Sequence, residues 1–169
     1  MNCPFPRVLS RLGLSLCVLA SATASHAQGW DAYVGGSLGG SDYGTAFKGF
    51  IGKQLTPAGA VEAQIMSFGS ETYQNFGNSY KRSAWSLGVS GVGQLVVTPT
   101  LRPFGKIGLH MLKSEATGPG LSDNKNSVKL GIGAGLAWQM TTDVTLRGEF
   151  ENIGGSAGDV YSLGLQFRF

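Results

Sequence analysis

Residues 127–140 read SVKLGIGAGLAWQM. Val128, Leu130, Ile132, Ala134, Leu136, Trp138 and Met140 take every second position, and Lys129, Gly131, Gly133, Gly135, Ala137 and Gln139 fill the places between. A period of two is that of a β-strand, whose side chains alternate between faces, and it does not fit the 3.6-residue helical repeat. One face of this strand is apolar along its whole length. The other carries glycine, alanine and a few polar groups, so the bulky face must find an apolar surrounding.

The same alternation recurs on both sides of this stretch, giving eight segments near residues 29–40, 45–55, 60–68, 83–96, 101–113, 127–140, 144–152 and 160–169. In the fifth, Leu101, Ile107, Leu109 and Met111 face away from Arg102, Phe104, Lys106 and His110; in the seventh, Val144, Leu146 and Phe150 oppose Thr145, Arg147, Glu149 and Glu151. The last holds Tyr161, Leu163, Leu165, Phe167 and Phe169 in one phase. Short turns fall at Pro57, Pro99 and Thr142, a spacing of about 42 residues that corresponds to one strand-loop-strand-turn unit. The connections 69–82, 114–127 and 151–159 are longer and polar, so the pattern predicts a meander with its short turns at one end and long loops at the other.

At the start of the chain, Arg7 and Arg11 precede an apolar run, LGLSLCVLASATA, too short to cross a bilayer as a mature helix. This is the pattern of a secretory signal peptide over residues 1–27, with overlapping small-residue cleavage sites at Ala22-Thr23-Ala24 and Ser25-His26-Ala27. The second leaves 28–169 as the mature domain. A lipoprotein reading through Cys17 is poorly matched, because Leu16 stands where a small residue is needed. Cys3 and Cys17 both leave with the signal, so no disulfide is expected in an oxidising compartment. Removing Arg7 and Arg11 leaves eleven Lys and Arg (13 − 2) against ten Asp and Glu, a balance that gives no reason to expect nucleic-acid binding.

Alternation alone admits two barrels. A soluble, lipocalin-like barrel keeps its apolar face inside, whereas an outer-membrane barrel turns it toward lipid. The charges discriminate between them. Glu62, Lys106, Lys129, Arg147 and Glu149 share the non-apolar face, and a narrow eight-stranded interior would let opposite charges from several strands meet. Glu62, Lys106, Arg147 and Glu149 are therefore expected to form a net-neutral lumen network. Trp30, Trp138 and Phe169 at the short-turn end, with Trp85 and Phe47 toward the other, would form two aromatic girdles. The expected fold is an all-β, eight-stranded antiparallel up-and-down transmembrane β-barrel.

The stretches YVGGSLGGS, AVEAQIMSFG, LRPFGKIGLHML, VKLGIGAGLAWQMTTDVTLRGEFENI and YSLGLQFRF, in that order and spacing, resemble the small outer-membrane β-barrel family that includes the OmpA transmembrane domain and OmpX-type proteins. The resemblance implies residence in the outer membrane of a Gram-negative bacterium, among its lipids, with a plugged lumen and exposed loops. It also implies that Tyr161, Leu163, Leu165, Phe167 and Phe169 are a C-terminal signal read by the barrel-assembly machinery. With nothing after Phe169, the peptidoglycan-binding domain of full-length OmpA proteins is expected to be missing, and loops of this size argue against strong adhesion. A host or surface ligand could still be met through the loops, and the barrel is expected to be monomeric.

Catalytic chemistry finds little support. His110 is the single histidine after residue 27, in phase with Lys106 and so pointing inward, with no serine in a His-x-Ser arrangement; a hydrogen-bonded lumen histidine is the simpler reading. One His, no Cys and scattered carboxylates do not make a metal site. The glycine runs at 35–36 and 131–135 precede no helix that could hold a phosphate, and inward glycines instead make room for Phe50, Phe104, Lys106 and Arg147. No cofactor is expected. A structural or surface-interaction barrel is the leading functional class, with a low-conductance pore and a lipid A-modifying enzyme as alternatives.

Overall fold

The structure is a computed structural model that describes residues 32–75, 78–118, 121–154 and 158–169. Trp30 and the expected signal segment lie outside these residues. Eight strands follow one another in chain order: β1 (Ala32–Ser41), β2 (Gly44–Thr56), β3 (Gly59–Asn75), β4 (Asn78–Gln94), β5 (Leu101–Gly118), β6 (Leu121–Gln139), β7 (Val144–Ile153) and β8 (Asp159–Arg168). Each pairs antiparallel with its neighbour, and β8 pairs with β1, so the sheet closes on itself. Closure leaves no free edge through the body of the barrel and satisfies backbone groups without water, as a lipid environment demands.

The wall sorts side chains as the alternation predicts. Leu130, Ile132, Leu136 and Trp138 of β6 are exposed on the outside, as are Ile107, Leu109 and Met111 of β5 and Leu38, Ile51 and Val89 elsewhere. Inside lie Lys48, Glu62, Lys106, Arg147 and Glu149, all buried. Exposed aromatics mark both ends of the outer wall. Phe47 and Trp85 stand on one rung with Ser67 between them, toward the end away from the short turns, and Trp138, Phe167 and Phe169 lie at the short-turn end.

Strand tilt appears directly in the pairing. From Lys48, one hydrogen-bonded row runs through Ser37, Gly164, Arg147 and Ala137 to Arg102 on β5. The opposite row runs through Met66 and Ser86 to Leu112, ten residues further along the same strand. Such a stagger is the geometric condition for closing tilted strands, and residues at equal height therefore do not share a rung.

The segments expected as long loops are largely strand. β3 with β4 and β5 with β6 continue as paired ribbons to Asn75↔Asn78 and Gly118↔Leu121, well past the ends of β1, β2, β7 and β8. β4 and β5 stay paired through Lys81↔Thr117, so the four extensions form one sheet standing above the barrel. The sequence there is mostly polar in both phases, so the apolar–polar contrast is lost although the backbone pairing persists. A β-bulge interrupts the β3–β4 ladder between Ser67 and Ser70, with Gly69 at φ 89°. A Cβ at Gly69 would sit 2.7 Å from the carbonyl oxygen of Thr45, so glycine is required both by conformation and by space.

A charged lumen as the candidate functional site

The interior is built in layers. Nearest the short turns, the Arg147 guanidinium lies between two aromatic rings, 4.8 Å from the centroid of Phe50 and 4.3 Å from that of Phe104. Guanidinium groups stack well on aromatic faces, and glycines opposite give the rings their space. A Cβ at Gly35 would run into Phe50, and one at Gly135 into Phe104. Tyr33 packs edge-on against Phe50, and its hydroxyl lies 3.2 Å from Glu62 Oε2.

Glu62 accepts from Arg147 through both oxygens, Nη1 to Oε2 at 2.6 Å and Nη2 to Oε1 at 3.4 Å. Lys106 Nζ lies 2.7 Å from Glu149 Oε1, 3.1 Å from Glu151 Oε2 and 3.4 Å from Glu62 Oε1, and it donates to Gln64 Oε1. Lys48 Nζ donates to Glu149 Oε2 at 2.6 Å and approaches Glu151 Oε2 at 3.5 Å. Arg147 Nε is 3.2 Å from Glu149 Oε2, and Gln64 Nε2 donates to Glu151 Oε1 at 2.6 Å. All these side chains are almost fully shielded from solvent.

The four expected residues, Glu62, Lys106, Arg147 and Glu149, thus meet in one cluster, and their charges balance. Lys48 and Glu151 complete it at three cations against three carboxylates, a balance that matters because an unpaired charge this deep costs several kcal/mol. Both lie in the inward phase, which was the one signal available in the sequence. Lys129 shares that phase, half-buried and opposite His110 in register, but makes no ion pair among the described residues.

His110 sits just beyond the cluster, fully buried, with Nε2 3.5 Å from Glu151 Oε1. It is inward as expected, but neither ring nitrogen has a hydrogen-bond partner among the described residues. Two glycines instead hold the ring, since a Cβ at Gly88 or Gly131 would strike it from either neighbouring strand. Above His110 the inward side chains turn apolar. Met66, Phe68, Leu112, Ile153 and Val160 form a buried cluster at the ribbon end of the lumen, where alternation alone led us to expect a polar face.

A closed eight-stranded barrel with an apolar outer belt, aromatics at both ends and charges within is a transmembrane β-barrel. The family profile described as "Outer membrane protein beta-barrel domain" matches residues 14–169, and the chain belongs to that family, whose home is the bacterial outer membrane. Among solved structures it is similar to the N-terminal β-barrel domain of Pseudomonas aeruginosa OprF, with 19% identity, 83% of this chain and 100% of that one covered, and a TM-score of 0.63. Neisserial surface protein A is similar at 16% identity, 83% and 96% coverage and a TM-score of 0.56. So is Ail, the attachment invasion locus protein of Yersinia pestis, at 15% identity, 83% and 97% coverage and a TM-score of 0.55. At such identities these structures speak for the fold. The comparison with curated proteins found no match.

Proposed function

We propose that this chain is a structural or surface-interaction protein of the outer membrane, with a non-conducting lumen, and that it is not an enzyme. The observation carrying this reading is the six-charge cluster bridging β2, β3, β5 and β7 across the lumen, with an apolar layer on one side of it. Ions crossing would have to break several buried pairs and then shed water among Phe68, Met66 and Leu112. His110 lies inside the wall, out of reach of a lipid headgroup, so among the described residues it offers acyl-transfer or hydrolytic chemistry no histidine base at the lipid surface.

Outer-membrane lipids would surround the belt, and the β3–β6 ribbons would be the surface offered to a ligand outside. Ail has been solved in complex with the heparin analogue sucrose octasulfate, so a barrel of this fold can bind a ligand. Tyr161, Leu163, Leu165, Phe167 and Phe169 all face outward along β8, open to the assembly machinery during insertion. Conductance recording on the refolded protein in planar bilayers tests the central point. A quiet bilayer with insertion verified is expected, and reproducible unitary steps would replace this reading with that of a small pore.

A further inference from the structure

The short-turn mouth of the lumen differs in charge from everything above it. A narrow recess, part of it open to solvent, is lined there by Arg102 of β5, Gln139 of β6, Thr145 of β7 and Gln166 and Arg168 of β8. Its floor is formed by Tyr33, Phe104 and Arg147. No carboxylate side chain lines it among the described residues, and Asp143 in the adjoining β6–β7 turn is exposed and outside the lining.

Arg147 is neutralised by Glu62 and Glu149, but the other two arginines are not. Among the described residues, Arg102 Nη2 donates to Gln139 Oε1 at 3.2 Å, while its buried Nε has no hydrogen-bond partner. Arg168 makes no ion pair among the described residues. The two stand three strands apart around an eight-stranded wall, so an anion entering between them is approached from both sides. Glutamines hold the rim in place: Gln54 Nε2 donates to Thr56 O at 2.7 Å, and Gln94 Nε2, at the end of β4, reaches across to Pro57 O of the β2–β3 turn at 3.1 Å.

We propose that this recess is a binding site for a small oxyanion, the carboxylate terminus of a peptide or a free inorganic phosphate, on the short-turn face of the membrane. Guanidinium forks match both groups in shape, and a partly desolvated recess strengthens charge-assisted hydrogen bonds relative to open surface. The arginine stack on Phe104 closes the recess from above, so it takes the end of a molecule and does not pass it through.

The test uses the full barrel refolded in detergent micelles, with arginine Nε–H signals followed by NMR. One titration uses inorganic phosphate and the other N-acetyl-alanyl-alanine. Saturable shifts at Arg102 and Arg168 are expected in at least one titration; the stronger response identifies phosphate or the peptide carboxylate as the preferred source. Arg102→Gln and Arg168→Gln should each weaken binding roughly tenfold, the size of one charge-assisted hydrogen bond. Lys113→Gln, on the outer face, should leave it unchanged. Retained heat-modifiable gel mobility would show that the variants still form the barrel. Absence of saturation in both titrations, or unchanged affinity in the folded Arg102→Gln/Arg168→Gln double variant, overturns the proposal.

Discussion

Arg147 and Glu62, 85 residues apart in the chain, meet inside the barrel through two hydrogen bonds, the shorter 2.6 Å. The pair is held from outside itself, by the Phe50 and Phe104 rings around the guanidinium and by Tyr33 and Lys106 on the carboxylate. Arg147→Lys keeps the charge but loses the fork and the planar stack. We expect it to destabilise the refolded barrel by about 1–3 kcal/mol, the range for a charge-assisted hydrogen bond with some stacking. Urea unfolding followed by gel mobility measures this, and an unchanged midpoint would show that charge alone matters at this position.

Lys106 and Glu149 provide the test of the cluster as a whole. Lys106→Ala leaves three carboxylates against two cations in a buried space and should cost roughly 3–5 kcal/mol, less where lumen water reaches the orphaned group. Glu149→Ala should be of similar size with the opposite imbalance. Removing both restores neutrality, so the double variant should be less damaged than the sum of the single ones. Additive losses would mean that the 2.7 Å contact carries no coupling.

Gly88 and Gly131 form the slot for His110, which leads to an overpacking prediction. Gly88→Ala pushes a methyl group into the imidazole and should destabilise by about 1–3 kcal/mol. Combining it with His110→Ala removes the obstacle and should recover part of the loss. Gly40→Ala, facing open space on the outer wall, is the control expected to be near neutral. If Gly88→Ala folds with wild-type stability, the ring does not occupy the slot.

Phe169 donates its backbone N–H to Ala32 O at 3.1 Å at the seam where β8 meets β1, while its side chain is exposed. Deleting Phe169 should lower outer-membrane levels far more than Leu163→Ala, which removes lipid-facing area from the same strand. Immunoblots of outer-membrane fractions from cells expressing each variant make the comparison. Equal, modest losses would reduce Phe169 to packing.

The strands and their faces were legible because lipid and lumen are two contrasting surroundings, and each strand records the contrast at every second residue. Above the belt that contrast ends, and the ribbon from Ser70 to Arg82 looked like loop although it is paired throughout its described residues. Glu62, Lys106, Arg147 and Glu149 were recognisable as inward charges. Lys48 and Glu151 shared their phase, but only the stagger of the closed sheet brings Lys48 level with two glutamates of β7. The apolar layer was hidden for another reason: around Met66 and Phe68, Ile65 is apolar as well, so both faces look alike in one dimension.

Gly69 has a consequence of parity. Below the bulge even-numbered residues of β3 point inward, as Glu62, Gln64, Met66 and Phe68 do; past it the odd numbers take that side, and Glu71 comes opposite Arg82. One surplus residue thus reverses the bookkeeping of the strand while the ladder to β4 stays in step. Were Gly69 forced into a regular ladder, Ser70 would face Arg82 and Glu71 would turn to the outer face beside Lys81; deleting it would only straighten the strand and keep Glu71 opposite Arg82. Which face each later residue of β3 takes therefore hangs on one residue without a side chain standing outside the ladder.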